Sequence, residues 1–599
     1  MGKHTYGSGR RDRESGRSVS NIPASTAREL QKDIDKYHKT KAAGIQPGMS
    51  VSKSEKTSKA NLNDNRVVKS ETTINGEAQV FQEMEESKSA RTAVFSLMLL
   101  SAFTKVFGFI REILLGRFFG IGDTAEAYKI AQTIPILILM VVGTGLATGF
   151  IPTYNRVMAD KGKKQANRFM SNTLNTTVIL GILFCIIVAV FPGFFVKLFA
   201  SGFTGEKLEL TMRFTRIAVW GVVFSFLSYI MQPYLQINER FWVPAVLGIP
   251  MNLVFYLSYP AGKYLNEMYL PLGIVLSVVV QVLWMAPFLR KEGFRWEPVA
   301  DHKDEDLRHL IYLALPVLLG VAVNQINLIV DRTMASRVLD GGVASLDYAN
   351  RMNGFVQGIF IYSVMTVVYP RISKLFIKKD YRGVEQLTTN ALVTMSLVVI
   401  PCIVGLMVFS TEIISLLFKG GAFDDRAVML TSGAMLFYAP GLIGFAFREI
   451  LARVFYSMDD TKTPTFNAAI AVAINIVLNI VLSRFMGING LALATSIASI
   501  LGSFFLMLAL KRQGRMKIHY RELLSKTFRI GLAALIMGIL GKLAYLGLEA
   551  QLGLRLGGVI AIFLAVIVYA FVILFMKIPE VDEIVSVIRT KLGTRKLKK

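Results

Sequence analysis

The chain has 599 residues with a formal charge of +25; 53% are apolar and only 18% charged, and the mean hydropathy is +0.47. Soluble domains carry about 25% charged residues, so this balance excludes an ordinary soluble protein and indicates one that crosses a membrane many times. The basic surplus then belongs to cytoplasmic loops and not to nucleic acid, and two cysteines with five histidines give neither a disulfide framework nor a Cys/His metal site.

Residues 1–91 come first, rich in Ser, Lys, Arg, Asn, Glu and Gln. They lack the apolar core of a secretory signal. They cannot bury enough surface to offset their ordering entropy. We expect a disordered basic cytosolic tail, with a short helix near 26–40.

Fourteen apolar stretches long enough to span a bilayer follow. They lie near 92–116, 127–153, 170–196, 212–234, 241–260, 267–289, 307–332, 345–370, 387–410, 426–449, 462–484, 488–510, 527–547 and 555–577. Residues 579–599 form a second basic tail. The loops NRVMADKGKKQANR, RISKLFIKKDYRG and KRQGRMKIHYRELLSKTFR are strongly basic and alternate with sparser ones. An even number of spans with both termini cytoplasmic satisfies the positive-inside rule.

The chain also repeats itself. FIPTYNRVMADKGKKQANRF (150–169) is similar to VYPRISKLFIKKDYRGVEQL (368–387), and YLQINERFWVP (234–244) to FYSMDDTKTP (455–464). The offset is about 220 residues, or six spans. An even number of spans preserves orientation, so the halves are expected to be related by an axis along the membrane normal. The fold class is therefore all-α: two six-helix bundles, 92–300 and 301–511, in parallel pseudo-twofold repeat, plus two extra helices in 512–578.

Charge inside the spans is scarce and placed. Lys105, Arg111, Glu112 and Glu126 fall in spans 1 and 2; Asp331, Arg332 and Arg351 fall in spans 7 and 8. A charge at mid-membrane costs about 2.5–3.5 kcal/mol even on the lenient insertion scale. These groups must face water, ligand or one another, so the four spans are expected to line a polar cavity. Lys105, Gly108 and Glu112 share one helix face. Cations in excess predict an anionic substrate, most simply a phosphate: Arg offers a bidentate fork and Lys a point charge. No glycine-rich ATPase loop is present, which leaves an ion gradient, the membrane potential or substrate flux as the energy source. Asn475 and Asn479, one turn apart in span 11, could join Asp331 and Thr495 in a shell of hard oxygens for Na⁺. Asn–Asn packing between helices is the alternative.

FTKVFGFIREILLGRFFGIGDTAEAY resembles the first-span signature of the MurJ/MviN lipid II flippases, within the multidrug/oligosaccharidyl-lipid/polysaccharide exporter superfamily. SLDYANRMNGFVQGIF resembles that family's span 8, and FYSMDDTKTP its span 10–11 loop. The resemblance covers roughly residues 92–511. It implies a non-enzymatic transporter of the bacterial inner membrane that moves lipid-linked peptidoglycan precursor to the outer leaflet by alternating access. Lipid II and membrane lipids would be its partners, with cell-wall synthesis machinery a further candidate. It would need no cofactor beyond Na⁺ or H⁺ coupling. Lys105, Arg111, Glu112, Glu126 and Arg351 match cavity positions, and the two extra helices would hold the lipid tail. A flippase for another polyprenyl-linked glycan uses the same physics. A drug exporter would need an apolar aromatic cavity, and a scaffold for cell-wall enzymes would tolerate loss of the interior charges.

Overall fold

In the computed structural model, residues 88–514, 518–582 and 586 are described. The tail expected over 1–91, with its helix near 26–40, lies outside them except for 88–91, as does nearly all of 579–599. Every regular element among the described residues is helical; the nearest thing to a strand is one isolated bridge between Gly420 and Phe423.

The first half runs through α1 (Lys88–Phe119), α2 (Asp123–Ile138), α3 (Thr144–Val190), α4 (Pro192–Phe199), α5 (Gly205–Ala218), α6 (Gly221–Ile237), α7 (Trp242–Ala245), α8 (Gly248–Tyr264) and α9 (Tyr269–Lys291). The second runs through α10 (Glu305–Val338), α11 (Gly342–Val356), α12 (Tyr362–Ile377), α13 (Tyr381–Val408), α14 (Ser410–Leu417), α15 (Asp425–Tyr438), α16 (Gly441–Ser457), α17 (Lys462–Met486) and α18 (Ile488–Gln513). A final rod, α19 (Tyr520–Phe575), follows.

The sequence repeat is a structural repeat. The pairs Gly205–Ala218 with Gly221–Ile237 and Asp425–Tyr438 with Gly441–Ser457 begin 220 residues apart, and each bends by 42°. A π-helical turn interrupts the chain at Leu139–Gly143 and again at Gln357–Ile361. Such turns concentrate at functional positions, and both lie in the charge-bearing second span of their half.

Among the described residues, eight helices are long and apolar enough to cross a membrane, or ten when each bent pair is taken as one span. The fourteen spans expected from the sequence are not reached by that measure. It takes α3 and α19 as single rods, although Gly162 (φ 79°) and Gly553 (φ 74°) break them. Glycine has no Cβ to clash in that left-handed region, so the chain can turn there. Nor does it include α1 and α10.

Burial follows the lipid environment. Leu257 and Phe563 are 75% and 66% exposed, whereas Ser171, Asn172, Thr211 and Asn479 are fully buried. Lipid tails are as apolar as leucine, so helices associate through close packing and interhelical hydrogen bonds. Tyr154 stands edge-on to Tyr234 at 5.6 Å and stacks on Phe150 at the same separation. Cys185 is buried and Cys402 half-buried, both free, as expected of small apolar fillers.

The loops hold the helix starts. Asp460, in the FYSMDDTKTP segment, accepts hydrogen bonds from the Thr463 backbone N–H (2.9 Å) and hydroxyl (2.6 Å) and from Gln513 (2.8 Å). It caps α17 and ties it to the end of α18. Partial burial pushes its carboxyl up, but these donors outweigh that and hold it below the ordinary carboxylate value. Asp460→Ala is expected to destabilise the fold by about 1 kcal/mol, the usual cost of a lost cap, read as a lower unfolding temperature in detergent. The carboxyl is depressed in the folded state, so its contribution is present above the unfolded pKa and fades as pH falls through the folded value. The difference between wild type and variant should therefore be full at pH 7 and vanish in strong acid.

Candidate functional site: a buried cationic cluster between the two halves

Six charged side chains from four helices meet where the two halves face each other. Arg111 and Glu112 come from α1, Lys129 from α2, Arg332 from α10, and Asp347 and Arg351 from α11. Glu112 accepts from Arg111 Nη2 at 2.8 Å and Lys129 Nζ at 3.3 Å, with Arg351 Nη2 at 3.8 Å. Asp347 accepts from Lys129 Nζ at 2.6 Å and Arg332 Nη2 at 3.0 Å, with Arg351 Nε at 3.7 Å. Aromatic faces complete the shell: the Lys129 ammonium lies 4.0 Å from the Tyr348 ring centre, and the Arg111 guanidinium 4.9 Å from that of Phe255. Both are cation–π distances.

The cluster is not neutral. Four cations face two carboxylates, a surplus of two positive charges. Lys129 and Glu112 are 3% and 4% exposed, while the Arg351 side chain is 44% exposed and forms the wet edge. Arg111 Nε, Arg332 Nε and Arg332 Nη1 are buried without a hydrogen-bond partner. Buried donors are ordinarily satisfied, and an orphaned charged one is costly. The arrangement is therefore suited to an anion with several acceptor oxygens.

The remaining expected residues separate into three places. Lys105 is exposed, and its ammonium lies 3.6 Å from where a Cβ on Gly358 would stand, beside the second π-helical turn; it belongs to the approach and not to the cluster. Glu126 is fully buried but faces away from the cluster. Its Oε1 accepts from the backbone N–H groups of Val343 (2.8 Å) and Ala344 (3.4 Å), at the positive end of the α11 dipole. It is also paired with Lys207, which reaches Asp123 at 3.1 Å and Asp340 at 3.2 Å. Glu126 thus clamps the halves together at the face opposite the basic loops, where a cavity contact had been expected.

That face is stitched shut elsewhere too. Ala422 N donates to Arg117 O (2.8 Å), the Tyr348 hydroxyl to Gly120 O (3.1 Å), Gly202 N to Ser336 Oγ (3.1 Å) and Thr333 Oγ1 to Leu198 O (2.7 Å).

The third place is the polar pocket in the second half. Asp331 Oδ1 accepts from Asn479 Nδ2 at 2.6 Å, and Asp331 Oδ2 from Asn327 Nδ2 at 3.2 Å. Asn475 bridges Asn479 (2.9 Å) and the Thr495 hydroxyl (3.2 Å). All four residues expected to share a pocket are together, with Asn327 added. Asn479 Oδ1 is buried and unpartnered. No group of three or more His, Cys, Asp or Glu placed to hold a metal ion occurs among the described residues. One carboxylate among amide and hydroxyl oxygens is a hard, weakly charged donor set, the chemistry of an alkali cation and not of a transition metal.

The repeat explains why the first half has no such pocket. At the 220-residue offset, Arg111 corresponds to Asp331, Phe255 to Asn475 and Tyr259 to Asn479. Where one half presents acid and amides, the other stacks a fixed guanidinium on an aromatic ring.

Lys129 and Asp347 were missed by the sequence reading. Lys129 sits three residues past Glu126 in the second charge-bearing span, and Asp347 stands four residues before Arg351, at ion-pair spacing on a helix. Both signals were present.

The chain is similar to known proteins over most of its length. The family described as lipid II flippase MurJ matches residues 115–564. The probable lipid II flippase MurJ of Buchnera aphidicola subsp. Baizongia pistaciae is 29% identical over 455 residues, covering 75% of this chain and 88% of the relative. That of Thermotoga maritima is 27% identical over 500 residues, covering 83% and 98%. A solved structure titled lipid II flippase MurJ, inward closed conformation, aligns with a TM-score of 0.69 at 25% identity, covering 80% of this chain and 98% of that one. An inward-facing MATE family transporter of the MOP superfamily aligns at 0.60 with 14% identity, covering 68% and 94%, and so shares the fold. The chain, an all-helical multi-pass membrane protein, belongs to the lipid II flippase MurJ family.

Proposed function

We propose that this chain carries lipid II from the cytoplasmic to the outer leaflet of a bacterial inner membrane by alternating access, using the cationic cluster to hold the diphosphate. The observation that carries this reading is the cluster's surplus of two positive charges, one of them on the half-exposed Arg351, with three buried guanidinium nitrogens unfilled. A diphosphate brings negative charge and several acceptor oxygens, and arginine meets them with paired hydrogen bonds. Lys105 and Arg351 are the exposed cations that an incoming headgroup meets first; Arg111 and Arg332 lie deeper.

The positive-inside rule assigns the basic loops, and with them both termini, to the cytoplasm. The stitched face is then the outer one, and this conformation is closed to the outside. Opening it requires Glu126 to leave the α11 N-terminus. The extra helices pack on the second half through Gly538 against Val404 and Val408. Their exposed residues, Leu535, Ile539 and Phe563 among them, suit a polyprenyl tail that stays in lipid while the headgroup crosses.

The Asp331 pocket supplies coupling. Na⁺ takes oxygen ligands, and Asp331, Asn475, Asn479 and Thr495 offer them on three helices. Binding there would bias how α10 sits against α17 and α18, and α10 also carries Arg332. The cation thereby acts on the substrate cluster through one helix.

Three outcomes test this reading. Arg351→Ala should slow lipid II flipping in reconstituted vesicles by about 10- to 100-fold, the cost of losing a charged hydrogen-bond partner, with membrane insertion unchanged. Flipping at the wild-type rate would remove the cluster from the mechanism. Asp331→Asn should make flipping independent of a Na⁺ gradient, whereas a preserved Na⁺ response would place coupling elsewhere. At Gly202 an added Cβ would fall 2.1 Å from Ser336 O. Gly202→Ala should therefore wedge the outer face open and raise the thiol-reagent labelling of a cysteine placed at Thr333; unchanged labelling would mean that this contact does not close the face.

A further inference from the structure

Lys129 differs from the other cations of the cluster. Its ammonium touches carboxylates from both halves, Glu112 at 3.3 Å and Asp347 at 2.6 Å, and lies against the Tyr348 ring. It is 3% exposed. An ammonium has three donors and no fork, and here two are spent on carboxylates while an aromatic face covers the group. Lys129 therefore has nothing left with which to grip a ligand. The arginines do: the unfilled donors are Arg111 Nε, Arg332 Nε and Arg332 Nη1.

We infer that Lys129 is a positioning and specificity-determining residue, which sets the site's surplus at two positive charges and so selects a diphosphate linkage over a monophosphate. This rests on the diphosphate-binding reading above. Without Lys129 the three arginines would face two carboxylates, a surplus of one. Glu112 and Asp347 would then turn wholly on the guanidinium groups and compete with phosphate for them. A diphosphate entering such a site would leave negative charge uncompensated in a low dielectric, which is strongly disfavoured. A monophosphate would lose much less.

Binding of farnesyl diphosphate and farnesyl monophosphate to the purified full-length protein in detergent, measured by calorimetry, separates the possibilities. In Lys129→Met, diphosphate affinity should fall about tenfold or more, with the preference over monophosphate lost, as expected when one unit charge is removed a few ångströms from the ligand. The double variant Lys129→Met/Asp347→Asn returns the surplus to two and should recover both affinity and preference. Asp347→Asn alone raises the surplus to three and should bind diphosphate at least as tightly as wild type, which keeps the test open if Lys129→Met does not fold. If Lys129 only props the helices, the double variant stays impaired and Asp347→Asn weakens binding; either result overturns the inference. Wild-type protein that binds neither probe would instead sink the diphosphate reading itself.

Discussion

Charge in a low-dielectric interior must be compensated, and that constraint organises this molecule. A lone ion at mid-membrane is costly enough that few are retained without a role. Here they gather. Four cations and two carboxylates share one cluster, with every carboxylate touched by at least two cations. Such a cluster is poor evidence for stability, because desolvation offsets much of the attraction. Its incomplete balance is the informative feature. Two positive charges and three buried guanidinium nitrogens are left without a partner among the described residues.

The internal repeat shows how one scaffold yields two chemistries. Bends, π-helical turns and helix starts recur at an offset near 220 residues, so the halves present the same positions to the space between them. The side chains at those positions have diverged. Arg111–Glu112 stands where the second half has Asp331–Arg332, the order of charge reversed. Glu112 and Arg332 both turn into the cluster. Their neighbours part company: Arg111 lies over Phe255, while Asp331 joins the amides of Asn479 and Asn327. A duplicated bundle has become a fixed cation on one side and an oxygen-lined pocket on the other. Asp331 and Arg332 are adjacent on α10, so the pocket and the cluster are mechanically joined without any long-range pathway.

Much of this was legible in the sequence, because membrane helices obey few rules. Apolar run length gave the helices and their order, basic loops gave their alternation, and charge scarcity named Arg111, Glu112 and Arg351. The i, i+4 asparagines led to the Asp331 pocket. Glu126 was harder, since composition shows that a carboxylate is buried but not which partner compensates it; backbone N–H groups at a helix start leave no residue-type signature. Lys129 was hard to read because it stands three residues after Glu126, at ion-pair spacing on the same helix, whereas its actual partners Glu112 and Asp347 lie on other helices. A count of continuous helices falls short of the fourteen spans expected from the sequence where a glycine with positive φ breaks one long rod, as at Gly162 and Gly553.

The central claim is that the unfilled guanidinium donors are the seat of the diphosphate. A structure of the full-length protein with a bound polyprenyl diphosphate tests it most directly. The account predicts phosphate oxygens within hydrogen-bond reach of Arg111 Nε and Arg332 Nη1, with Arg351 closing over the wet side. Phosphate density away from all three arginines, with the cluster's ion pairs unchanged, would contradict it.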